Sequence, residues 1–232
     1  VLDSTPVSFT VSADNAEEEN ALTVIKVRKE NTAQKGKISV RKTGDIFTSV
    51  ATASSAYTNE NDEMIVNPTT YTPVFADGDL SGAVFQVIAV EDIVTLDGTT
   101  RAYAGDVVSE ITTDENGYAE TEPLYLGKYE VREIKAPYGY VLNNEPKDVE
   151  LTYAGQEFEV RDTVNTAFEN EYQSVEISLS KVMENDKLFG IYGENCYTSV
   201  RFGLFAAEDI TAADGTVIPA DGLLSEVSLD ED

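Results

Sequence analysis

The chain has 232 residues and a mass of 25.3 kDa, with 16 Lys plus Arg against 43 Asp plus Glu, a formal net charge of -27 and a sequence pI of about 4.1. Such a field repels phosphate backbones and anionic lipid surfaces, so neither nucleic-acid binding nor electrostatic membrane attachment is expected. The sequence has no His and a single Cys, Cys196. Ser-His and Cys-His nucleophile pairs, internal disulfides and imidazole or thiolate metal sites therefore lack their residues, and no enzyme, metal or cofactor is expected.

A hydrophobic fraction of 41%, with 12 Tyr and 9 Phe, argues for a folded chain despite the charge. The longest apolar stretch, Ala83 to Val90, is far too short to span a bilayer and contains Gln86, so no membrane insertion is expected in this segment. The chain begins at Val1 without a signal peptide, basic patch or lipidation motif, as a fragment or mature segment of a larger protein would.

In chain order, the acidic run Asp14 to Asn20 reads as a loop. Lys37 to Lys42 is a strand with Ile38, Val40 and Lys42 on one face. Residues 48–79, rich in Ser, Thr and Asn with Pro68 and Pro73, read as a long surface loop or excursion hairpin. Further strands are expected at Val84 to Val90, Val107 to Thr112, Tyr129 to Glu133, Lys147 to Tyr153, Glu157 to Arg161 and Thr166 to Asn170. Turn signals at Asp97-Gly98, Asn116-Gly117 and Ala154-Gly155 separate several of them. Short strands with frequent turns and no long amphipathic helix predict an all-β sandwich.

The chain also repeats itself. Val1 to Pro6 resembles Val141 to Pro146 at an offset of 140, and Asn31 to Lys42 resembles Asn170 to Lys181, each with an Asn-to-Lys separation of 11. Ser81 to Ile93 likewise resembles Thr198 to Ile210, each followed by an Asp-Gly turn and a Ser-Glu strand. Repeats of this length mean tandem domains. They divide the chain into the last strands of one repeat (1–34), a complete domain (35–173) and the first half of another repeat (174–232). Lys42 to Phe85 spans 43 positions where Lys181 to Phe202 spans 21, so the excursion at 48–79 contains an insertion of 22 residues.

The segment Tyr129-Glu-Val-Arg-Glu-Ile-Lys-Ala-Pro-Tyr-Gly-Tyr140 resembles the E-box of SpaA/CnaB-type, prealbumin-like domains, from which the stalks and pilins of Gram-positive surface proteins are built. It departs from the family pattern at Ile134, where Thr is common. The likeness extends to the strand ending in Lys42, to Ser81-Gly-Ala-Val-Phe85 and to the closing strand at Asn170. It implies a CnaB-like β-sandwich in tandem repeats, at the cell surface or in the cell wall, and a spontaneous isopeptide bond between Lys42 and Asn170 with Glu133 as the assisting acid. By the same alignment Asn31 and Lys181 would be cross-link partners in the neighbouring repeats; neither has an E-box Glu in this chain, so neither is expected to react here.

The chemistry behind that implication is general. A lysine amine is nucleophilic only when neutral, and burial lowers its pKa. A carboxylic acid kept protonated in an apolar core can donate a hydrogen bond to an amide carbonyl as negative charge develops there. Lys37 is the weaker alternative nucleophile because it falls on the opposite face, and Asn165 the weaker acceptor because Asn31 aligns with Asn170. Tyr129, Tyr138 and Tyr140 are expected to pack around Glu133 and the following turn. The acidic loops at Asp14 to Asn20 and Asn59 to Glu63 lack an EF-hand arrangement and read as solvated surface. Cys196, without a basic neighbour, reads as a buried structural thiol. Expected partners are neighbouring repeats and other copies in a fibre; the alternative is an adhesin that binds a host or matrix ligand through the 48–79 insertion.

Overall fold

The structure, a computed structural model, describes residues 3–10, 12, 17–19, 22–24, 26–156, 159–160, 163–181, 188 and 200–228, and all regular elements among them are strands. The chain divides into two compact units, Val1–Thr43 with Asp79–Asn170, and Gly44–Gly78 with Glu171–Asp232.

The first unit is a β-sandwich. One sheet orders four antiparallel strands as Val107–Thr112, Val84–Ala89, Gly127–Lys135 and Lys147–Leu151. The other places the first part of the strand Ile38–Ala53 between Tyr118–Glu120, antiparallel to it, and Val164–Asn170. Val164 N–H donates to Lys37 O (2.9 Å) and Ser39 Oγ to Asn165 Oδ1 (2.5 Å), so the partners advance together and the Lys42 and Asn170 strands run parallel.

The alternation of apolar and polar residues explains which face of each strand is inside. Phe85, Val87 and Ala89 are buried from one strand, Tyr129 and Val131 from the next, and Ile38 and Val40 from the opposing sheet. Phe85 meets Phe168 with ring centroids 4.8 Å apart, joining the two sheets. Burying each such large side chain contributes about 1.5–3 kcal/mol, which lets a shared core carry a few polar groups. Buried Thr113 and Thr121 satisfy their hydroxyls on backbone: Thr113 Oγ1 donates to Leu80 O (2.9 Å), and Thr121 Oγ1 accepts from Ile38 N–H (3.1 Å).

Of the two expectations for 48–79, a long surface loop or an excursion hairpin, the second unit shows the excursion hairpin. The strand Ile38–Ala53 continues through the segment, a short hairpin pairs Ala56–Thr58 with Met64–Val66, and the chain returns as the strand Thr70–Asp79. Period-two content was masked by Ser and Thr, which sit in strands as readily as in loops when neighbours supply the ladder. Asn59 Oδ1 accepts from the N–H groups of Asn61 (2.9 Å) and Glu63 (3.0 Å), closing the hairpin's tip. The acidic run is corrected in part: Glu17–Glu19 is a strand paired antiparallel with Leu22–Val24. Of the expected strand at 157–161 only residues 159 and 160 are described, with Val160 bridged to Lys35. Cys196 lies outside the described residues.

Candidate cross-linking site

Three strands each bring one polar residue into the interior of the first unit. Lys42 follows Ile38 and Val40 on the core face, and its backbone is held on both sides: its N–H donates to Gly117 O (2.7 Å) and its carbonyl accepts from Leu80 N–H (2.9 Å). Gly117 has φ 65°, and a Cβ there would stand 2.4 Å from Lys42 O, so glycine is what lets this turn press against the Lys42 strand. Glu133 pairs opposite Phe85, and the register shifts between Glu133 and Lys135. Strand alternation turns Ile134 outward, 40% exposed, and keeps Glu133 inside at 1%, while at the irregularity Lys135, which alternation would point inward, is exposed. Asn170 ends its strand, 3% exposed.

The three side chains meet at one carboxyl. Glu133 Oε1 lies 3.6 Å from Lys42 Nζ and accepts a hydrogen bond from Asn170 Nδ2 at 3.0 Å, while Oε2 accepts from the Asn143 backbone N–H at 3.0 Å. The side chains of Lys42 and Glu133 are wholly shielded from solvent. Among the described residues, the buried side-chain nitrogen and oxygen atoms without a hydrogen-bond partner are Lys42 Nζ and Asn170 Oδ1. An unsatisfied buried polar atom costs about 1–3 kcal/mol, and more if charged, so both groups are held in an unfavourable state. Burial pushes the Lys42 amine below its usual value, against the pull of the neighbouring Glu133 carboxylate, which favours the ammonium form.

The arrangement has the parts for acyl transfer from an amide to an amine. A half-turn of the Asn170 amide would place its oxygen opposite Glu133, where a proton on the carboxyl would be shared with it and draw charge from the carbonyl carbon. The Lys42 amine, whose burial favours the neutral form, is confined beside the same carboxyl, and confinement of two reactants can lower the barrier by roughly 7–11 kcal/mol. An amide product would replace a buried amine and an orphaned carbonyl with one neutral group.

The alternative residues lie elsewhere. Lys37 Nζ sits 2.5 Å from Glu120 Oε2, and this hydrogen bond raises its pKa, keeping it an ammonium. Asn165 Oδ1 is taken by Ser39 Oγ. Asn31 is exposed and its Oδ1 accepts from Asp3 N–H at 3.1 Å; Lys181 is exposed as well. Of the three tyrosines, Tyr129 is buried and its hydroxyl donates to Tyr125 O (2.5 Å), with burial pushing the phenol up to about 12. Tyr138 is corrected: it is fully exposed, because the turn from Pro137 to Tyr140, with Gly139 at φ 87°, throws it outward.

Two contributors escaped the sequence reading. Asn143, noticed only as part of the repeat Val141 to Pro146, supplies the backbone N–H that orients Glu133. Gly117, noticed only as a turn residue, supplies the carbonyl that holds the Lys42 backbone. Both act through main-chain groups, which residue type does not reveal. Among the described residues no group of His, Cys, Asp and Glu converges as a metal site.

Residues 75–166 match the family model described as SpaA, a prealbumin-like fold domain. Over that stretch the chain is similar to a SpaA-type prealbumin-like domain. The matched stretch includes Glu133 and lies between Lys42 and Asn170. Among curated proteins the chain is 28% identical over 94 residues to the trypsin-resistant surface T6 protein of Streptococcus pyogenes serotype M6; the match covers 40% of this chain and 16% of that protein's length. Among solved structures it is similar to the minor pilin GBS52 of Streptococcus agalactiae, at 17% identity, 64% of this chain, 49% of that one and a TM-score of 0.36. The full-length major pilin SpaD of Corynebacterium diphtheriae gives 19% identity, 60% and 30% coverage and a TM-score of 0.35.

Proposed function

We propose that this chain is a structural module of a Gram-positive surface fibre, and that its SpaA-type domain closes itself with an isopeptide bond between Lys42 and Asn170. The observation that carries the reading is the buried trio, in which one oxygen of Glu133 faces both the unpartnered Lys42 amine and the Asn170 amide. The Lys42 nitrogen lone pair attacks Asn170 Cγ while Glu133 donates to the amide oxygen. The tetrahedral intermediate collapses, the Cγ–Nδ2 bond breaks, and Nδ2 leaves as ammonia with a proton relayed from the former lysine nitrogen through Glu133. The reaction occurs once per molecule, so the domain processes itself and turns over no substrate.

The fibre assignment rests on the SpaA-type match and on the surface and pilin proteins that the chain is similar to. In this reading the chain lies outside the cell, residues 35–173 are the complete repeat, 1–34 and 174–232 belong to its neighbours, and the partners are those repeats and other copies of the protein. A bond from first to last strand lets tension pass from one end of the domain to the other without peeling the sheets between them. Asn31 and Lys181 remain unreacted in this chain, each lacking an E-box acid of its own. Intact mass is the test: the loss of one ammonia is expected, and the full unreacted mass would overturn the cross-link.

A further inference from the structure

The inserted segment after Lys42 has a role that can be read from the second unit alone. Its two long strands are ordered with Leu223–Ser228 and Arg201–Phe205, and Leu223 pairs with Thr70 in parallel. Phe47, Phe75 and Tyr172 form an aromatic row, with ring centroids 5.7 Å apart for the first pair and 5.0 Å for the second. Tyr172 also accepts a hydrogen bond from Phe47 N–H through its hydroxyl (3.1 Å). Further along, Phe47 O accepts from Ala213 N–H (3.0 Å), Thr48 O from Asp214 N–H (3.1 Å), and Val50 N–H donates to Thr216 Oγ1 (2.9 Å).

These contacts have a common physical sense. A two-stranded hairpin is marginal by itself, and so is the pair made by Arg201–Phe205 and Leu223–Ser228. Joined, they form a run of four strands, with Ile218 and Leu223 buried. The turn at Ala212 to Thr216 is internally braced, since Ala212 N–H donates to Thr216 O (2.8 Å) and Thr216 N–H to Asp214 Oδ1 (2.8 Å), so it meets the 44–78 strand as a preformed cap.

We infer that residues 44–78 are an intrachain clasp for the module that follows Asn170: the hairpin supplies the strands on which residues 200–228 are held, and the aromatic row is its latch. The partner is this segment of the same chain. The insertion is thereby a mechanical element, a role separate from the Lys42–Asn170 bond and independent of whether that bond forms.

The test is amide hydrogen exchange on the whole chain, comparing wild type with the double variant Phe75→Ala/Tyr172→Ala, with Tyr172→Phe and with the tip variant Met64→Ser. The double variant is expected to accelerate exchange at Ala213 and Asp214 about tenfold or more, while the amides of Val87 and Val131 in the first unit keep their protection. Tyr172→Phe, which retains the ring and removes the hydroxyl that accepts from Phe47 N–H, accelerates Phe47 exchange and has a smaller effect at Ala213 and Asp214. Met64→Ser, at the exposed tip, leaves all of these amides unchanged. Unchanged exchange at Ala213 and Asp214 in the double variant, or equal acceleration by Met64→Ser, would overturn the clasp. Intact mass of each variant reports the cross-link separately, so the two readings fail independently.

Discussion

The first unit carries two sets of Lys, Glu and Asn: in each the Lys and the Asn come from the same two parallel chain segments, while Glu133 comes from the strand Gly127–Lys135 of the opposing sheet and Glu120 from the neighbouring strand Tyr118–Glu120. Lys42, Glu133 and Asn170 lie inside, with the amine unpartnered and pushed toward its neutral form. Lys37, Glu120 and Asn165 lie outside, where Lys37 is ion-paired and pushed toward its charged form, and Asn165 is bonded to Ser39. Residue type is the same in both; solvent access and partner saturation differ. Glu120 further accepts from the hydroxyls of Thr163 (2.9 Å) and Tyr118 (3.1 Å), so both its oxygens are taken by donors. The inner set differs from the outer one by what it is denied: water throughout, and a hydrogen-bond partner for Lys42 Nζ and Asn170 Oδ1.

That contrast can be broken from either side. The largest effect is expected from Glu133→Gln, which keeps the shape and removes the acid: the bond does not form, the chain keeps its unreacted mass, and about 4–5 kcal/mol of stability is lost, as for a covalent closure of a loop of this length. Denaturant unfolding beside intact mass reads both. Gly117→Ala should come next. It brings a Cβ to 2.4 Å from Lys42 O at a positive φ, so the Lys42 backbone must shift, with a cost of about 1–3 kcal/mol and slower bond formation in a refolding time course.

The third case sharpens the electrostatic half of the comparison. In Asn170→Ala, Lys42 remains a free buried amine whose folded pKa lies below its unfolded value. Between those two values the folded state binds fewer protons than the unfolded state, so the unfolding free energy rises with pH there. The penalty is full below the folded pKa and gone above the unfolded one. The cross-linked chain lacks this rise, because an acylated nitrogen does not titrate; urea melts across the alkaline range distinguish the two. The smallest effect is expected outside: Lys37→Ala leaves the mass loss intact and barely moves the urea midpoint, because a solvent-screened ion pair contributes little.

Much of the inner set was legible because strands have period two. The phase of Lys42 with Ile38 and Val40, and of Glu133 with Val131, is a local property, and the structure buries all five residues. Asn170 required the repeat, since its own strand shows only that it follows Phe168 by two. What stayed hidden was non-local or carried by the main chain. The pairing of Thr70 with Leu223 joins segments far apart in sequence, and the donor at Asn143 and acceptor at Gly117 are backbone groups. Tyr138 misled because an aromatic in an apolar run is usually buried, and here a turn governs its direction.

The most direct test of the account is peptide mapping of the intact chain by tandem mass spectrometry after tryptic digestion. The expected result is a branched peptide joining Lys42 to Asn170, lighter than its two parts by one ammonia and absent from Glu133→Gln. Separate linear peptides bearing an unmodified Lys42 and an unmodified Asn170 in the wild-type chain would contradict it.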